Sequence, residues 1–362
     1  MSCREPYTPP EIKTNNHYLV VSGFLNAGGT TTINLSRTRG LNDTIPNIPE
    51  YSAQVSVIGS FGDISQLTDM GAGTYQSNNL NLNVSETYQL QILTSNGNKY
   101  LSDTVSVLQT PPIDSVNWTQ DSTGPSSKQG VNIYASTHDP STPYGYYRWE
   151  YEESWKYRAA YESYYAYENG GLVARTPDQY IYYCWHNVPS TALVIGSSVQ
   201  LSQNLIYEQP ITFIPVGSER LGIKYSILVK QYSISKNAFE YWANLQQTTE
   251  LTGSIFDPLP AQITGNIHNV SNPNEPVLGF ISASSATEER IFISNAQVQH
   301  WGYIITGCEE LILSPDQFAF YFGSGGYIPT GSKGIANVGA TTPTCGDCRV
   351  SGGTTTVPAF WQ

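Results

Sequence analysis

Charge and methionine are both scarce in this chain. Of 362 residues only 13% are Asp, Glu, Lys or Arg, two are Met, and runs of Ala, Glu, Leu and Lys are missing. Surface helices are built from such residues, so helix should be scarce as well. Cations are the rarest charges: 17 Lys and Arg against 29 Asp and Glu leave a net charge of −12. A nucleic-acid binder needs grouped Lys and Arg to displace phosphate counterions, and here they are scattered, which argues against nucleic acid as a partner. No stretch approaches the ~18–20 consecutive apolar residues that cross a bilayer as a helix. A membrane connection would then come from a lipid or a partner.

Catalytic motifs are missing too. The five histidines, His17, His138, His186, His268 and His300, form no i, i+4 pair and no H-x-H or H-E-x-x-H frame, so no metal is expected. There is no nucleophile elbow, Walker loop or dinucleotide fingerprint. Gly323, Gly325 and Gly326 sit in a loop-like tail with no helix after them to hold a phosphate. Glu150, Glu152 and Glu153 could supply a glycosidase pair, but Glu150 and Glu152 share a strand face with Arg148, the pattern of an exposed charge ladder. The expectation is a non-enzyme without a cofactor.

What the chain does have is Tyr (26), Gly (31), Pro (22) and a 39% hydrophobic content. Aromatic and β-branched side chains suit a pleated, half-buried surface, and this is enough apolar material for a core. Strands with period-two alternation begin at 17–25 and recur at 31–36, 53–59, 88–92 and 100–108, with turns at 26–29 and at Asn96 and Gly97. This spacing predicts an immunoglobulin-like β-sandwich over 17–109. Pro111 and Pro112 cannot continue a central strand and mark a linker. A second, fibronectin-like β-sandwich domain is predicted over 113–302, with strands at 113–118, 132–135, 144–155, 179–186, 192–198 and 222–234. In the third of these, Tyr147, Trp149, Tyr151 and Trp155 share one face. One helix is predicted near 235–250: Ser235 can cap it, Phe239, Trp242, Ala243 and Gln246 follow helical spacing, and Gly253 lies past its end. Returning strands are predicted at 277–281 and 290–293, and then a Gly/Thr-rich C-terminal segment over 303–362.

Four cysteines lie beyond residue 3: Cys184, Cys308, Cys345 and Cys348. Cys345 and Cys348 could be half of a zinc site, but no second pair exists; a thioredoxin-like pair would need a helix after it. An even number indicates two disulfides, with three connectivities open. The preferred arrangement pairs each of Cys345 and Cys348 with one of Cys184 and Cys308, pinning the C-terminal segment to the second domain.

Nine tyrosines crowd 144–167. Alternation assigns Tyr147 and Tyr151 to the core but cannot absorb Tyr161, Tyr164, Tyr165 and Tyr167, which stand before Gly170 and Gly171. They are expected on an exposed loop or hairpin tip as a partner-binding surface, because Tyr offers large amphipathic contact area at low entropy cost.

The chain opens Met1, Ser2, Cys3. No basic start or apolar core of a signal peptide precedes the cysteine, yet Ser before Cys is how a bacterial lipobox ends. Residues 4–14 are polar and Pro-rich, as a tether should be. Cys3 is therefore expected to be acylated, with 1–16 as a lipidated tether.

Taken together, Cys3 with its tether, the segments 17–23, 147–155, 225–232 and 265–267, Cys184 followed by Trp185, and Cys345 and Cys348 ahead of Phe360 and Trp361 resemble a family of Bacteroidetes outer-membrane lipoproteins, domain of unknown function 4249. The resemblance spans nearly the whole chain. It implies lipidation of Cys3, a place in the outer membrane on the cell surface, and proximity to TonB-dependent receptor barrels. It brings no catalytic residues. The expected role is that of an accessory subunit docking on an outer-membrane β-barrel or its associated surface lipoprotein, in import or envelope biogenesis. The rival is a stand-alone surface module for a glycan or peptide.

Overall fold

The computed structural model describes residues 17–39, 48–250 (side chains to 248) and 265–361. Cys3, its tether and Gly253 lie outside these residues. The described residues fold mostly as strands in several sheets, so the class is all-β.

Two compact units divide the chain. The first takes in the residues up to Pro111, then Gly145–Arg148 and Tyr232–Ala286; the second takes in Pro112–Tyr144, Trp149–Gln231 and Thr287–Gln362. The break at the proline pair falls where the sequence places it, but the two units are not consecutive as expected. Residues 232–286, assigned from sequence to the second domain, belong with the first.

The physical reason is strand pairing over long range. Ile267–Asn269 adds to the strand Lys99–Ser102, and Ala283–Ser284 runs parallel to both Val105–Leu108 and Leu25–Asn26. Ile267, Val277, Ile281 and Ala283 thereby enter one core with Leu19, Val21, Ile33, Leu35, Val55, Val57, Leu90 and Ile92. The expected strand at 277–281 is instead a single parallel bridge, Val20 with Leu278, flanked by Val21 N–H to Leu278 O (2.8 Å) and Leu278 N–H to Leu19 O (2.9 Å). Around this core lie a five-stranded sheet carrying Leu19–Gly23 and Thr30–Arg37 and an eight-stranded sheet carrying Gln54–Gly59 and Thr87–Leu93. The hairpin at Asn96 and Gly97 forms as expected, Gly97 taking φ +87°.

The helix Lys236–Glu250 starts where Ser235 predicts: the Ser235 hydroxyl accepts from Ala238 N–H (3.2 Å) and so satisfies one otherwise unpaired donor. Its buried stripe is centred on Ala238 and Tyr241, with Phe239 and Trp242 beside them, a rotation from the expected Phe239, Trp242, Ala243 and Gln246 face.

In the second unit, Ile113–Asp121, Gly130–His138 and Leu205–Pro215 make a three-stranded sheet. Tyr183–Pro189, Tyr146–Arg158, Lys224–Ser233 and Ala286–Ser294 make a second, joined by Val194–Ser197, although the strand ends Tyr146–Arg148, Tyr232–Ser233 and Ala286 are counted with the first unit. The Trp149 indole donates to Gln231 (2.8 Å) and Gln231 donates to Thr137 (3.0 Å), tying a tryptophan of one sheet to a strand of the other. The 303–362 segment is more than a pinned tail. It holds a three-stranded sheet of Leu311–Leu313, Val338–Thr341 and Ile328–Ser332 and a small core of Leu313, Phe322, Val338 and Ala340.

Candidate functional site

The strand Tyr146–Arg158 sets the site's geometry because successive side chains leave opposite faces. Tyr147, Trp149 and Tyr151 are buried as alternation requires, and the same parity carries Glu153, Trp155 and Tyr157. Glu153, on the opposite face from Glu150 and Glu152, is buried. It accepts from Arg220 Nη1 (3.0 Å) and from the Tyr225 hydroxyl (2.7 Å). The buried charge is thus paired and hydrogen-bonded, which such a position demands. Burial, and then Glu153, push the Tyr225 hydroxyl well above its ordinary pKa.

Both disulfides form in the preferred arrangement, Cys184 with Cys348 and Cys308 with Cys345. They close loops of 164 and 37 residues, worth on the order of 4 kcal/mol each in the chain-entropy model. The second reaches the tyrosine segment directly. Tyr161 N–H donates to Cys345 O (3.0 Å), and its hydroxyl donates to Cys308 O (3.4 Å). The stitching continues through Ser163, which donates to Pro329 O (2.7 Å), and Tyr164 N–H, which donates to Thr330 O (3.1 Å).

The four candidate tyrosines do not form one exposed loop. Tyr165–Glu168 and Gly171–Ala174 pair as a hairpin whose turn residues Asn169 and Gly170 take φ +51° and +82°, as a tight two-residue connection requires. Tyr167 packs half-buried on Phe322 (5.6 Å) in the small C-terminal core. Tyr161 and Tyr165 are half-buried, and Tyr164 alone is open, at 45% exposure. Tyr167 could not be separated from the others by sequence, because its partner lies in a distant segment.

Two cavities flank Tyr161. One, of about 370 Å³, is lined by Tyr161, Glu162, Tyr164, Tyr165, Glu310 and Lys333 among others; Glu310 is held there by the Lys333 ammonium (2.6 Å) and the Thr330 hydroxyl. The other, of about 400 Å³, has walls of Tyr157, Tyr161, Tyr303, Ile223, Ile304 and Ile305, with Glu219 and Arg158 at its polar points. Gly222 makes room for it: a Cβ there would stand 2.7 Å from the Tyr303 ring.

Glu219 is the residue that sequence reasoning missed. It lies in a short 3₁₀ turn, Glu219–Leu221, capped by Ser218, and no motif surrounds it. Desolvation by burial raises its pKa, and the nearby Trp155 indole offsets this in part. The indole nevertheless stays outside hydrogen-bonding geometry: Glu219 Oε1 and Trp155 Nε1 are both buried with no partner among the described residues. Burial pushes the Tyr157 hydroxyl, which donates to Cys348 O (2.6 Å), up to about 12. Tyr303 is raised by burial and then by Glu219. Burial lowers His186, whose ring stacks on Tyr157 at 4.6 Å.

Larger cavities exist but are internally satisfied. The 610 Å³ cleft of the first unit is lined by Arg37, Glu50 and Glu275, and Arg37 already holds Glu50 (2.6 Å), the Tyr100 hydroxyl (3.4 Å) and Glu275 (3.7 Å). The Glu219 cavity differs in its lining, where Ile223, Ile304 and Ile305 stand beside three tyrosines. Among the described residues no three His, Cys, Asp or Glu side chains converge as a metal site, and no helix is long and apolar enough to cross a membrane, which says nothing of a β-barrel.

No curated protein matches this chain. The family model for the domain of unknown function DUF4249 matches residues 4–290. That span takes in Tyr157, Tyr161 and Glu219 and ends before Tyr303 and the cysteines at 308, 345 and 348. Covering well over half of the residues, the match identifies the chain as belonging to the DUF4249 family.

Proposed function

We propose that this protein is a non-catalytic surface lipoprotein of the outer membrane, acylated at Cys3, that binds a partner through the tyrosine-lined surface of its second unit. The partner is an outer-membrane β-barrel of the TonB-dependent-receptor kind, or the surface lipoprotein associated with such a barrel. Its placement at the membrane rests on the lipobox-like Ser2 and Cys3 and on the family resemblance.

The observation that carries the binding role is the rigid presentation of Tyr161, Tyr164 and Tyr165. Backbone hydrogen bonds and the Cys308–Cys345 disulfide fix this segment, yet it borders two cavities and leaves Tyr164 open. Rigid aromatic side chains on a pre-ordered segment lose little entropy on binding, and anchors of this kind dominate interface energies. The distribution of carboxyls supports binding over hydrolysis. Glycoside hydrolysis needs two available carboxyls flanking one bond; Glu219 is the only carboxyl among the residues lining its cavity, and in the other cavity Glu162 accepts from the Tyr164 hydroxyl while Glu310 is held by Lys333 and Thr330.

Affinity purification of the tagged, lipidated protein from native membranes tests the reading. A stoichiometric barrel or lipoprotein is the expected result. A protein recovered alone, and retained by a glycan or peptide column, would favour the second reading, a stand-alone surface module, for which the two cavities speak.

A further inference from the structure

We infer that the outer face of the three-stranded sheet in the second unit, built by Ile113–Asp121, Gly130–His138 and Leu205–Pro215, binds an uncharged polysaccharide chain. The site is separate from the tyrosine segment 161–165, goes beyond the proposed docking role and does not depend on it. Strand parity assembles the face. Val131, Ile133 and Ala135 are buried in the core, so Asn132 and Tyr134 point outward. Registered neighbours extend these positions into rows: Thr119 and Phe213 flank Asn132, while Asn117 and Pro210 flank Tyr134. A bulge opposite Ser136 then turns out Tyr207, which is 73% exposed.

Phe213 lies along the sheet and does not stand off it. The outer edge of its ring rests on Gly130, where a Cβ would stand 2.7 Å from Cε2 and Cζ. Gly130 is buried while Phe213 is 37% exposed, so one aromatic face meets the backbone and the other meets water. From the level of Asn132 to that of Ser136 the strand rises about 13 Å, and Phe213, Tyr134 and Tyr207 are spread over that length.

The ligand class follows from what stands between the rings. Asn117, Thr119 and Asn132 offer amides and a hydroxyl, and the side chains of Thr119 and Asn132 make no hydrogen bond to another described residue. Charges stand only at the ends of the face. Asp121 accepts from Thr123 (2.9 Å), Glu208 holds the Tyr207 hydroxyl, and His138 is paired with Asp114 (2.7 Å). Nothing between them rewards a charged ligand, and the net charge of −12 repels anionic polymers. A sugar ring has the matching build: its C–H face packs on an aromatic ring, and its hydroxyls donate to and accept from amides, which do both. Size separates this from a protein footprint. Three strands give a patch about 14 Å wide, a fraction of the ~800 Å² that a standard protein interface takes from each partner, whereas a short run of sugar rings covers it.

Electrophoresis of the full chain in native gels cast with a polysaccharide tests the site. Dextran, mannan, galactomannan and xyloglucan serve as neutral probes, and alginate and dextran sulfate as anionic ones. At least one neutral probe should retard the protein in proportion to its concentration, and neither anionic probe should. Tyr207→Ala and Phe213→Ala should each weaken that retardation about tenfold or more at an unchanged thermal midpoint. Should Phe213→Ala fail to fold, Tyr207→Ala decides, because its side chain is open to solvent. No retardation by any neutral probe, retardation by the anionic probes as well, or wild-type retardation of Tyr207→Ala would overturn the inference. The docking role is read out apart from it. Tyr164→Ala combined with Tyr165→Ala should keep wild-type retardation, and its loss would move the polysaccharide to the tyrosine segment and sink this site. If Tyr207→Ala loses the membrane partner while no polysaccharide retards the parent protein, the face is a protein interface and the inference falls.

Discussion

At the scale of single residues, Glu219 and Glu153 show how differently two carboxyls can sit within one unit. Glu153 is deeply buried and answered by Arg220 and Tyr225; Glu219 is half-buried and lacks a full set of partners. Removing one member of a buried ion pair strands the other, so Glu153→Ala should cost about 3 kcal/mol or more of stability, measured by chemical denaturation. Glu219 carries the opposite sign. Its pKa is raised in the folded state, so the folded protein binds the extra proton more readily. The resulting stability is full below the unfolded carboxyl pKa and is lost as pH rises through the higher folded value. Glu219→Gln should therefore unfold at a higher temperature than the parent at neutral pH, with the gap closing as pH falls through the carboxyl range. A gap that stays constant with pH would contradict this assignment. Neither role was legible in the sequence. Parity places Glu153 on the core face beside Trp149 and Tyr151, but its partners Arg220 and Tyr225 lie far along the chain and no local pattern announces them. Glu219 depends on Trp155 and Tyr303, which lie far along the chain.

Local elements were read well and their long-range partners poorly. The helix Lys236–Glu250 announced itself through Ser235, and the strand Tyr146–Arg158 through alternation that correctly buries Tyr147, Trp149 and Tyr151. Ala283–Ser284 gave no such signal, since a two-residue strand has no period, and its parallel partners are Leu25–Asn26 and Val105–Leu108. The consequence is testable. A fragment of residues 17–109 lacks Ile267, Val277, Ile281 and Ala283 from its core. Burying a large aliphatic side chain contributes about 1.5–3 kcal/mol, and whole domains are stable by only about 5–15 kcal/mol. The fragment alone should give no cooperative unfolding transition. A sharp, reversible melt from it would show that the strands from 267 onward are dispensable.

At the scale of the whole molecule, two compact units and two disulfides are observed, and a lipid anchor at Cys3 is proposed. The disulfides tie the tyrosine segment to the C-terminal sheet, so replacing Cys308 and Cys345 with Ser should loosen 161–165 in hydrogen exchange more than the strands around Leu90 and Ile92 in the first unit. Cys3→Ser should release the protein from the membrane fraction, and unchanged retention would count against acylation as the anchor. The central claim, that the tyrosine surface holds a membrane partner, is tested most directly by Tyr164→Ala combined with Tyr165→Ala in the lipidated protein. The side chain of Tyr164 is open and that of Tyr165 lines a cavity, while the adjoining core rests on Tyr167, Leu313 and Phe322. Loss of interface anchors costs about 2 kcal/mol or more, roughly a 30-fold weakening. The account predicts that the double variant keeps its thermal midpoint and fails to retain the partner in purification from native membranes; a large fall in the midpoint, or full partner recovery, would contradict it.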